Sequence, residues 1–400
     1  MLDKKNGEQP ISMTDTDSAD DAGVAAFTDP FPSRAPIRIL MFADMYGASQ
    51  ALLFVHGLAA ARAAGRVAVR IVGEEMLGPD GFQQADQSVR ELIEAEFDVV
   101  RPTVLVLSRF GHSAAYGLIR RAAADRGVPT AFHIDDDLFD MPVAIGVERY
   151  RGARHPRRAG TLRRALNDAD LVMAATPALA GRLADLADHG RIGWAENGTA
   201  GAVGLRKAKP EGAPVVVGYM GSASHGPDLE MALPALDAAL ARHGGGIRIE
   251  LYGSIARHPM ADALPGEVTR RDVTPGGYQA FKRTLAALDW DIGLAPLMTS
   301  PYNRVKTATK WVEYAEAGIA TLASDHEIYR PIIEAGAAAA AQPAQWTHAL
   351  DKLIAQAGLR RAIVADADRL LTARYGWERL EASVLALLRR LPPPRRRRAA

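Results

Sequence analysis

The sequence predicts an α/β protein built from two Rossmann-like domains. Its 400 residues exceed the roughly 250 to 300 residues at which a single hydrophobic core stops growing. Short apolar runs alternate with helical stretches, a pattern that indicates βαβ units and a parallel sheet covered on both faces. The pattern lapses at residues 199–213 and then starts again. We therefore expect a first domain at residues 36–198, a linker at 199–213 and a second domain at 214–375.

Composition narrows the class of protein further. Hydrophobic residues make up 48% of the chain and charged residues 24%, as in ordinary globular proteins. No apolar run approaches the roughly 18 residues of a membrane span, and the N-terminal stretch lacks an apolar signal core. We therefore expect a cytoplasmic protein. The absence of cysteine excludes disulfides, thiolate zinc sites and cysteine nucleophiles. The net charge of +1 gives no reason to expect a nucleic-acid partner.

Two arginine-rich stretches interrupt this balanced charge. Seven arginines lie between Arg149 and Arg164, and four more form the run Arg395 to Arg398 in a basic tail at residues 392–400. Either stretch could hold the phosphates of an anionic lipid surface or of a lipid-linked substrate. The alternatives are a solvated loop for the first and a disordered tail for the second. Peripheral contact with the inner face of the membrane therefore stays open.

The first domain is predicted to follow a leader at residues 1–35, which is polar, lacks periodicity and is expected to be flexible. Its expected strands lie at residues 37–42, 67–72, 103–108, 130–134, 170–175 and 192–195. Ser49 and Ser113 are expected to open helices, and glycines to end them, at Gly65, Gly127 and Gly190. Thr176 and Pro177 form a further helix start, with an N-cap followed by proline at the first helical position.

The second domain repeats the alternation of strands and helices. Its expected strands lie at residues 214–219, 247–252, 289–295 and 319–323, and its helices at 228–243, 278–288 and 307–317. Pro234 predicts a kink or a late start of the first helix. Residues 344–391 indicate two or three amphipathic helices. The last of them, at 376–391, is long enough to pack back across the first domain.

The strongest chemical signal is the stretch PYNRVKTATKWVEYAEAG, which begins at Pro301. Arg304, Lys306 and Lys310 precede or open a helix, whose N-terminus adds unpaired N–H groups and a positive dipole end. This combination predicts an anion site that fits a diphosphate. Glu313 lies about two helical turns after Lys306 and could accept hydrogen bonds from a ribose. The alternative is an ordinary i,i+3 ion pair between Glu313 and Lys310.

A small-residue loop follows the first strand of the second domain. Ligands of open α/β sheets bind at this carboxyl end of the strands. Gly221 permits close approach of the backbone, and Ser222 offers a hydroxyl, so the loop could contact a pyrophosphate. The loop lacks the full dinucleotide fingerprint.

In the first domain, an expected strand ends in His133, which is followed by the three adjacent carboxylates of Asp135, Asp136 and Asp137. These groups could bind a divalent cation or orient a hydroxyl-bearing substrate. Successive side chains alternate in direction along a strand, which disfavours a shared metal ligand. Polar contacts to a substrate, or capping of the next turn by Asp135 or Asp137, are the favoured interpretations.

Several stretches occur in the order seen in one enzyme group: FHIDDDLFDMP, ADLVMAATPALAGRL with ENGT, VVVGYMGSASH, and DWDIGLAPLMTSPYNRVKTATKWVEYAEAGIATLAS. At residues 37–330 the chain thereby resembles the retaining GT-B glycosyltransferases, specifically the family-4-like group of surface polysaccharide assembly. Glu313 and Gly318 match the spacing of the family's ribose-contacting Glu. Val305 stands where a second Glu usually touches the donor sugar. Tyr219 and Ser222 stand where the family has an Arg and Lys pair.

The resemblance implies transfer of a hexose-type sugar from a nucleoside diphosphate sugar to a hydroxyl of a glycan, lipid-linked or protein acceptor, with retention and with no cofactor or dedicated metal. It implies catalytic roles for Lys306, Lys310 and Glu313. The predicted donor-binding residues are Gly221, Ser222, Asn303, Arg304 and Thr307, and the predicted acceptor-side residues are His133, Asp135 and Asp136. The alternatives are another GT-B reaction on nucleotide sugars, such as epimerisation, and a non-catalytic GT-B-like binding or scaffold protein.

Overall fold

The computed structural model describes residues 26–29, 35–78, 87–196, 198, 209–210, 212–264, 268–273 and 276–394. Most of the predicted leader and linker and the run Arg395 to Arg398 lie outside the described residues. The described chain forms two sheets, one of seven strands and one of six. Each sheet has a core cluster on both faces, so most of its inner strands are apolar runs, whereas the edge strand Val268–Arg271 is largely exposed.

The first sheet has the strand order β1-β3-β2-β4-β5-β6-β7, and all its pairs are parallel except β1 with β3. Its strands are β1 (Ala26–Thr28), β2 (Ile37–Ala43), β3 (Val67–Gly73), β4 (Val104–Ser108), β5 (Thr130–Ile134), β6 (Leu171–Ala174) and β7 (Ile192–Trp194). Its helices are α1 (Ala48–Gln50), α2 (Ala59–Ala63), α3 (Gln87–Val100), α4 (Ser113–Asp125), α5 (Val147–Arg154), α6 (Pro156–Asp168) and α7 (Pro177–Ala184).

Strand β1 corrects the prediction that residues 1–35 form only a flexible leader. It pairs antiparallel with β3 at the edge of the sheet. Phe27 is buried against Tyr46, with the ring centroids 5.8 Å apart. The Asp29 carboxylate accepts a hydrogen bond from the Val69 N–H at 3.0 Å and pairs with Arg62. One aromatic residue and one acid in a polar stretch are too few to produce a periodic signal, although they suffice to fix an edge strand.

Some helix ends in the first domain have the predicted capping residues and terminal glycines. The Thr176 hydroxyl accepts from the Leu179 N–H at 3.0 Å, and Gly65 and Gly127 both have a φ of +65°. Two expectations were wrong. Ser49 lies inside the short helix α1, after its cap Gly47, and a π-helical segment (Ala51–His56) continues the chain. Helix α7 ends at Ala184, well before Gly190.

The second sheet is parallel throughout and has the order β10-β9-β8-β11-β12-β13. Its strands are β8 (Val215–Met220), β9 (Ile247–Tyr252), β10 (Val268–Arg271), β11 (Ile292–Ala295), β12 (Ala320–Ser324) and β13 (Ala339–Ala341). Its helices are α8 (Gly226–His243), α9 (Gly277–Ala287), α10 (Pro301–Arg304), α11 (Thr309–Glu316), α12 (Arg330–Glu334), α13 (Trp346–Ala355) and α14 (Ala357–Leu370).

Helix α8 begins before Pro234 and continues past it, so the predicted late start was wrong. Pro234 lies on the exposed face of the helix, as does Glu230, whose carbonyl loses its usual helical partner. Water can hydrogen-bond that carbonyl, which reduces the cost of proline inside the helix.

Two segments of the second half of the chain pack into the first domain. Helix α15 (Trp377–Leu388) contributes Leu380, Val384 and Leu388 to a core cluster with Phe54 of the first domain. Its buried Glu381 accepts from the Ala61 N–H at 2.8 Å and pairs with Arg66 at 2.9 Å. No helix in the described part of the chain is long and apolar enough to cross a membrane.

The second of these segments lies between β11 and α11. Tyr302 and Val305 join the other core cluster of the first domain. The Val305 carbonyl accepts a hydrogen bond from the Thr176 hydroxyl at 2.7 Å. A third contact across the domains places the Gln279 amide nitrogen 2.8 Å from Nε2 of His56. These contacts fix the width of the cleft between the two sheets.

The anchoring of α15 is testable at Glu381. We expect Glu381→Ala to lower the free energy of unfolding by about 2 kcal/mol, because the buried Ala61 N–H loses its acceptor. Urea unfolding followed by circular dichroism measures the change. Glu378→Ala on the exposed face of the same helix is the matched control and should leave the midpoint unchanged. Equal midpoints for both variants would show that the Glu381 contact adds no stability.

Candidate active site

A cavity of about 370 Å³ lies between the two domains, where the carboxyl ends of the strands of both sheets meet. This is where open α/β sheets bind ligands. The first domain lines it with Ala48, Ser49, Leu52, Asp135 and Asp136. The second domain lines it with Met220, Gly221, Ser222, His225, Tyr278, Phe281, Leu297, Lys306, Thr307, Thr309, Lys310, Glu313, Ile328 and Tyr329.

Lys310 lies in the first turn of α11 and points toward the small-residue loop after β8. Its ammonium donates to the Met220 carbonyl and lies 4.6 Å from the centroid of the Tyr219 ring. Burial, with a smaller contribution from nearby Lys306, lowers the pKa of Lys310 to about 8, although Glu313 and Asp228 oppose the shift. A bound anion would stabilise the charged form of this lysine.

Glu313 lies one turn further along α11 and is partly buried. Its Oε1 accepts a hydrogen bond from the Tyr278 hydroxyl at 2.8 Å. Burial raises the pKa of Glu313 to about 7, although the Tyr278 hydrogen bond and Lys310 oppose the shift. The alternative interpretation of an ordinary Lys310–Glu313 ion pair is not what the structure shows, because the two side chains bond to Met220 and Tyr278 instead.

Lys306 precedes α11 and reaches across the cleft. Its Nζ lies 3.1 Å from Oδ1 of Asp136 in the first domain and 4.6 Å from the centroid of the Tyr302 ring. Burial alone would lower the pKa of Lys306, but Asp136 and Tyr302 hold it above its usual value. Lys306 is therefore a permanent cation at the domain boundary. Thr307 also lines the cavity, and its hydroxyl lies 2.7 Å from that of Thr309.

The small-residue loop lies directly beside these lysines. A Cβ atom added to Gly221 would lie 3.2 Å from the Lys310 ammonium, so glycine leaves room for the lysine to approach the loop. The Ser222 hydroxyl lies 2.7 Å from that of Ser224. His225 lies at the cavity wall, with Nδ1 2.9 Å from Asp228. Burial lowers the pKa of His225, and Lys310 lowers it further.

Asn303 and Arg304 were predicted to bind the donor, and the structure places both elsewhere. Asn303 is buried, and its amide donates to the Met298 carbonyl at 2.8 Å, so it holds its own loop. Arg304 is exposed, lies 3.4 Å from Glu327 and lines a smaller neighbouring cavity of about 220 Å³. The cause is local, since these residues belong to the separate single turn α10.

On the first-domain side of the cleft the three adjacent carboxylates have separate partners. Asp135 accepts from the Ser49 hydroxyl and pairs with Arg109 at 2.9 Å. Burial alone would raise the pKa of Asp135, but Arg109 lowers it to about 2. Asp137 pairs with Arg182 at 3.0 Å and accepts from the Phe139 N–H, so it caps the turn as one interpretation predicted. Among the described residues, no three His, Asp or Glu side chains are grouped to hold a metal ion.

His133 was predicted to contact the acceptor, but the structure buries it beneath the cavity. Its Nδ1 lies 2.8 Å from the Ser108 hydroxyl, and its ring packs edge-on against Phe54 with centroids 5.2 Å apart. Burial lowers the pKa of His133 to about 4. Successive side chains of β5 alternate between the two faces of the sheet. His133 therefore supports the strand ends and does not line the cavity.

Sequence reasoning missed Arg109 and Asp44, which form an ion-pair group with Asp135 and Asp136 at the strand ends of the first domain. Arg109 follows β4 and has a φ of +52°, an uncommon backbone conformation for a residue other than glycine. Its Nε lies 3.0 Å from Oδ2 of Asp44, which follows β2. Burial raises the pKa of Asp44 to about 6, although Arg109 opposes the shift. Polar residues directly after neighbouring parallel strands were the signal that could have revealed both.

Comparison with known proteins gives information on the fold alone. No protein-family model and no curated protein matches the chain. Among solved structures, sucrose-phosphate synthase from Thermosynechococcus elongatus is 14% identical with a TM-score of 0.61, over 88% of this chain and 98% of that chain. HepE from Anabaena, solved in complex with UDP and glucose, is 13% identical with a TM-score of 0.59, over 88% of this chain and 99% of that chain.

The fold is GT-B. The prediction of two Rossmann-like domains with a cleft between them is thereby confirmed. TarM from S. aureus, solved with UDP and sugar ligands, has a TM-score of 0.53 at 11% identity. The match covers 75% of this chain, which spans 58% of the TarM chain. At these identities the GT-B likeness fixes architecture and leaves the reaction to be argued from the site.

The burial of Lys310 predicts a pH dependence of anion binding. We expect the affinity for a nucleoside diphosphate to fall about tenfold as the pH rises from 7.5 to 9, because the ammonium deprotonates with a pKa of about 8 and a charge-assisted hydrogen bond is lost. Isothermal titration calorimetry measures the affinity. Lys310→Met should bind more weakly and with little dependence on pH in this range. An equally steep profile in that variant would assign the titration to another group.

Proposed function

We propose that this protein transfers a sugar from a nucleoside diphosphate sugar to a hydroxyl acceptor in glycan or polysaccharide biosynthesis. The observation that carries the proposal is the convergence of Lys306, Lys310 and Glu313 with Gly221 and Ser222 on one cavity between the domains. Two cations, a small-residue loop and a partly buried carboxylate are groups that can bind a diphosphate and a ribose. The GT-B fold raises the expectation by analogy.

The chemistry follows from the charge that develops on the leaving group. When the glycosidic bond breaks, the diphosphate gains negative charge, and preorganised cations lower the barrier by stabilising it. We assign this role to Lys306 and Lys310, and ribose binding to Glu313, as the resemblance implies. The two lysines make a dedicated metal unnecessary in this scheme. Retention of configuration also rests on the resemblance. Closure of the two domains over the donor would exclude water and thereby limit hydrolysis of the donor.

A second candidate function is nucleotide binding without transfer. At Val305, where the resemblance places an acidic residue that touches the donor sugar, the side chain packs into the core of the first domain. The residue therefore contributes to domain contact and offers no group to the sugar. Turnover separates this candidate from the enzyme, since both would bind the nucleotide.

Peripheral membrane contact at the inner, cytoplasmic face is a further part of the proposal. Helix α5 and the turn before it expose Val143 and Val147, with exposed fractions of 55% and 48%. Arg151 and Arg154 are exposed on the same helix. Apolar side chains flanked by arginines favour an anionic lipid surface, where the arginines meet the headgroups.

The donor site can be tested by thermal shift with a panel of nucleoside diphosphate sugars. Because the neighbouring structures of HepE and TarM contain UDP, UDP-sugars are the first probes. A ligand that binds the native state raises its apparent stability. We expect Lys306→Ala and Glu313→Ala to reduce the shift strongly and Arg304→Ala to preserve it. A parental shift in both site variants would show that the nucleotide binds elsewhere.

Catalysis is tested with the donor that gives the largest shift. We expect release of the nucleoside diphosphate to depend on a hydroxyl acceptor and to fall at least about 100-fold in Lys310→Met, because one stabilising cation is removed from the leaving group. Chromatography of the products measures transfer. Binding of the donor with no product on glycan, lipid-linked or protein acceptors would favour the non-catalytic candidate, and a converted donor sugar would indicate epimerisation.

Membrane contact is tested with vesicles of phosphatidylcholine and phosphatidylserine. We expect the protein to sediment with anionic vesicles and the double variant Arg151→Glu and Arg154→Glu to lose most of this binding, because each basic residue contributes about 1 kcal/mol near such a surface. The double variant Arg361→Glu and Arg369→Glu, at exposed positions of α14, changes the net charge by the same amount and is the matched control. Equal losses in the control would assign the effect to overall charge.

A further inference from the structure

The three adjacent carboxylates after β5 differ in where their partners come from. Asp135 is held by Ser49 and Arg109 of its own domain. Asp137 is held by Arg182 and the Phe139 N–H, also of its own domain. Asp136 instead takes its closest charged partner from the other domain, where Lys306 lies 3.1 Å from Oδ1. Asp136 is therefore the one of these three carboxylates that can exchange its partner when a ligand binds in the cleft.

Lys306 is also the residue that a diphosphate would engage. Its side chain lines the same cavity as Lys310 and the Gly221 loop. A diphosphate carries more negative charge than one carboxylate and offers several acceptor oxygens to the ammonium. Binding of the donor therefore competes with Asp136 for Lys306.

When the Lys306 ammonium moves to the diphosphate, the Asp136 carboxylate at the wall of the cavity can accept a hydrogen bond from another group. Its side chain is 22% exposed, and the Arg109 guanidinium remains at 3.8 Å from Oδ2. An ionised carboxylate only accepts hydrogen bonds. The group that replaces the ammonium must therefore be a donor, and a hydroxyl meets this requirement.

We propose that Asp136 positions the acceptor hydroxyl. In the absence of donor, Lys306 occupies the Asp136 carboxylate, and it releases this carboxylate when the Lys306 ammonium binds the diphosphate of the donor. This inference rests on the function proposed above and adds an order to it, with the donor binding before the acceptor. Once Lys306 binds the diphosphate, Arg109 is the cation that remains beside the three carboxylates of Asp44, Asp135 and Asp136. This charge repels anions, so the hydroxyl belongs to an uncharged part of the acceptor.

A double-mutant cycle on UDP affinity tests the competition. We expect Asp136→Asn to tighten UDP binding about fivefold, because the nucleotide no longer displaces an ion pair. In a Lys306→Met background the same substitution should change nothing. Asp140→Asn, which removes an equal charge at an exposed position, should not affect UDP affinity. Isothermal titration calorimetry at constant salt concentration measures all of these variants.

The outcomes separate the two proposals. No tightening in Asp136→Asn overturns the exchange of partners. Equal tightening in the presence and absence of Lys306 overturns it too, because it would show simple repulsion between Asp136 and UDP. Failure of the parent protein to bind any nucleoside diphosphate would instead contradict the proposed function.

Saturation-transfer NMR tests the order of binding. The probes are a panel of uncharged methyl glycosides and glucose 6-phosphate, each with and without UDP. We expect transfer to an uncharged glycoside only when UDP is present, and in Lys306→Met also without UDP. Asp136→Ala should lose this transfer while it still binds UDP. Transfer that is independent of UDP in the parent, transfer to glucose 6-phosphate of equal strength, or no transfer to any uncharged probe would overturn the inference.

Discussion

The segment from Tyr302 to Lys306 connects the two domains at the floor of the cleft. Tyr302 and Val305 are inserted into the core of the first domain, and the Val305 carbonyl accepts from Thr176. Lys306 follows at once and meets Asp136. Because apolar burial holds this segment, its backbone is anchored to the first domain. The Lys306 side chain extends from this anchor into the cleft and can contact groups of either domain.

The ionisable side chains of the cleft respond to burial in different ways. Lys306 and Arg109 remain charged because each meets carboxylates of the first domain. Lys310 has a carbonyl and an aromatic ring as close partners, so burial shifts its pKa downward. The neighbouring Glu313 is shifted upward by the same desolvation. Opposite pKa shifts in adjacent groups are typical of functional sites. A polyanionic ligand would stabilise the charged form of Lys310.

Much of this architecture can be predicted from local signals. Continuous apolar runs predict both parallel sheets, because a strand covered on two faces has no polar side. The cluster Lys306, Lys310 and Glu313 can be predicted because its members are close in sequence and lie on or before one helix. Asn303 and Arg304 belong to the same run, but a separate helical turn directs them elsewhere. Sequence spacing could not reveal that break.

The contacts that were missed depend on distant parts of the chain. Arg109 joins Asp44 and Asp135 only after three strands align their ends, and strand β1 exists only because β3 offers an edge. His133 was placed in the site because polar residues follow it, whereas strand alternation directs its ring into the core. Polar side chains at strand ends therefore require a known sheet order before their roles can be assigned.

The return of helix α15 has a consequence for biogenesis. The Ala61 N–H and the Glu381 carboxylate that it contacts are separated by 320 positions in the chain. During synthesis the N-terminal sheet emerges long before the helix that covers Phe54 and its neighbours. That apolar surface stays uncovered until residues 377–388 have left the ribosome. The first lobe can therefore complete its core only after the second lobe has been synthesised.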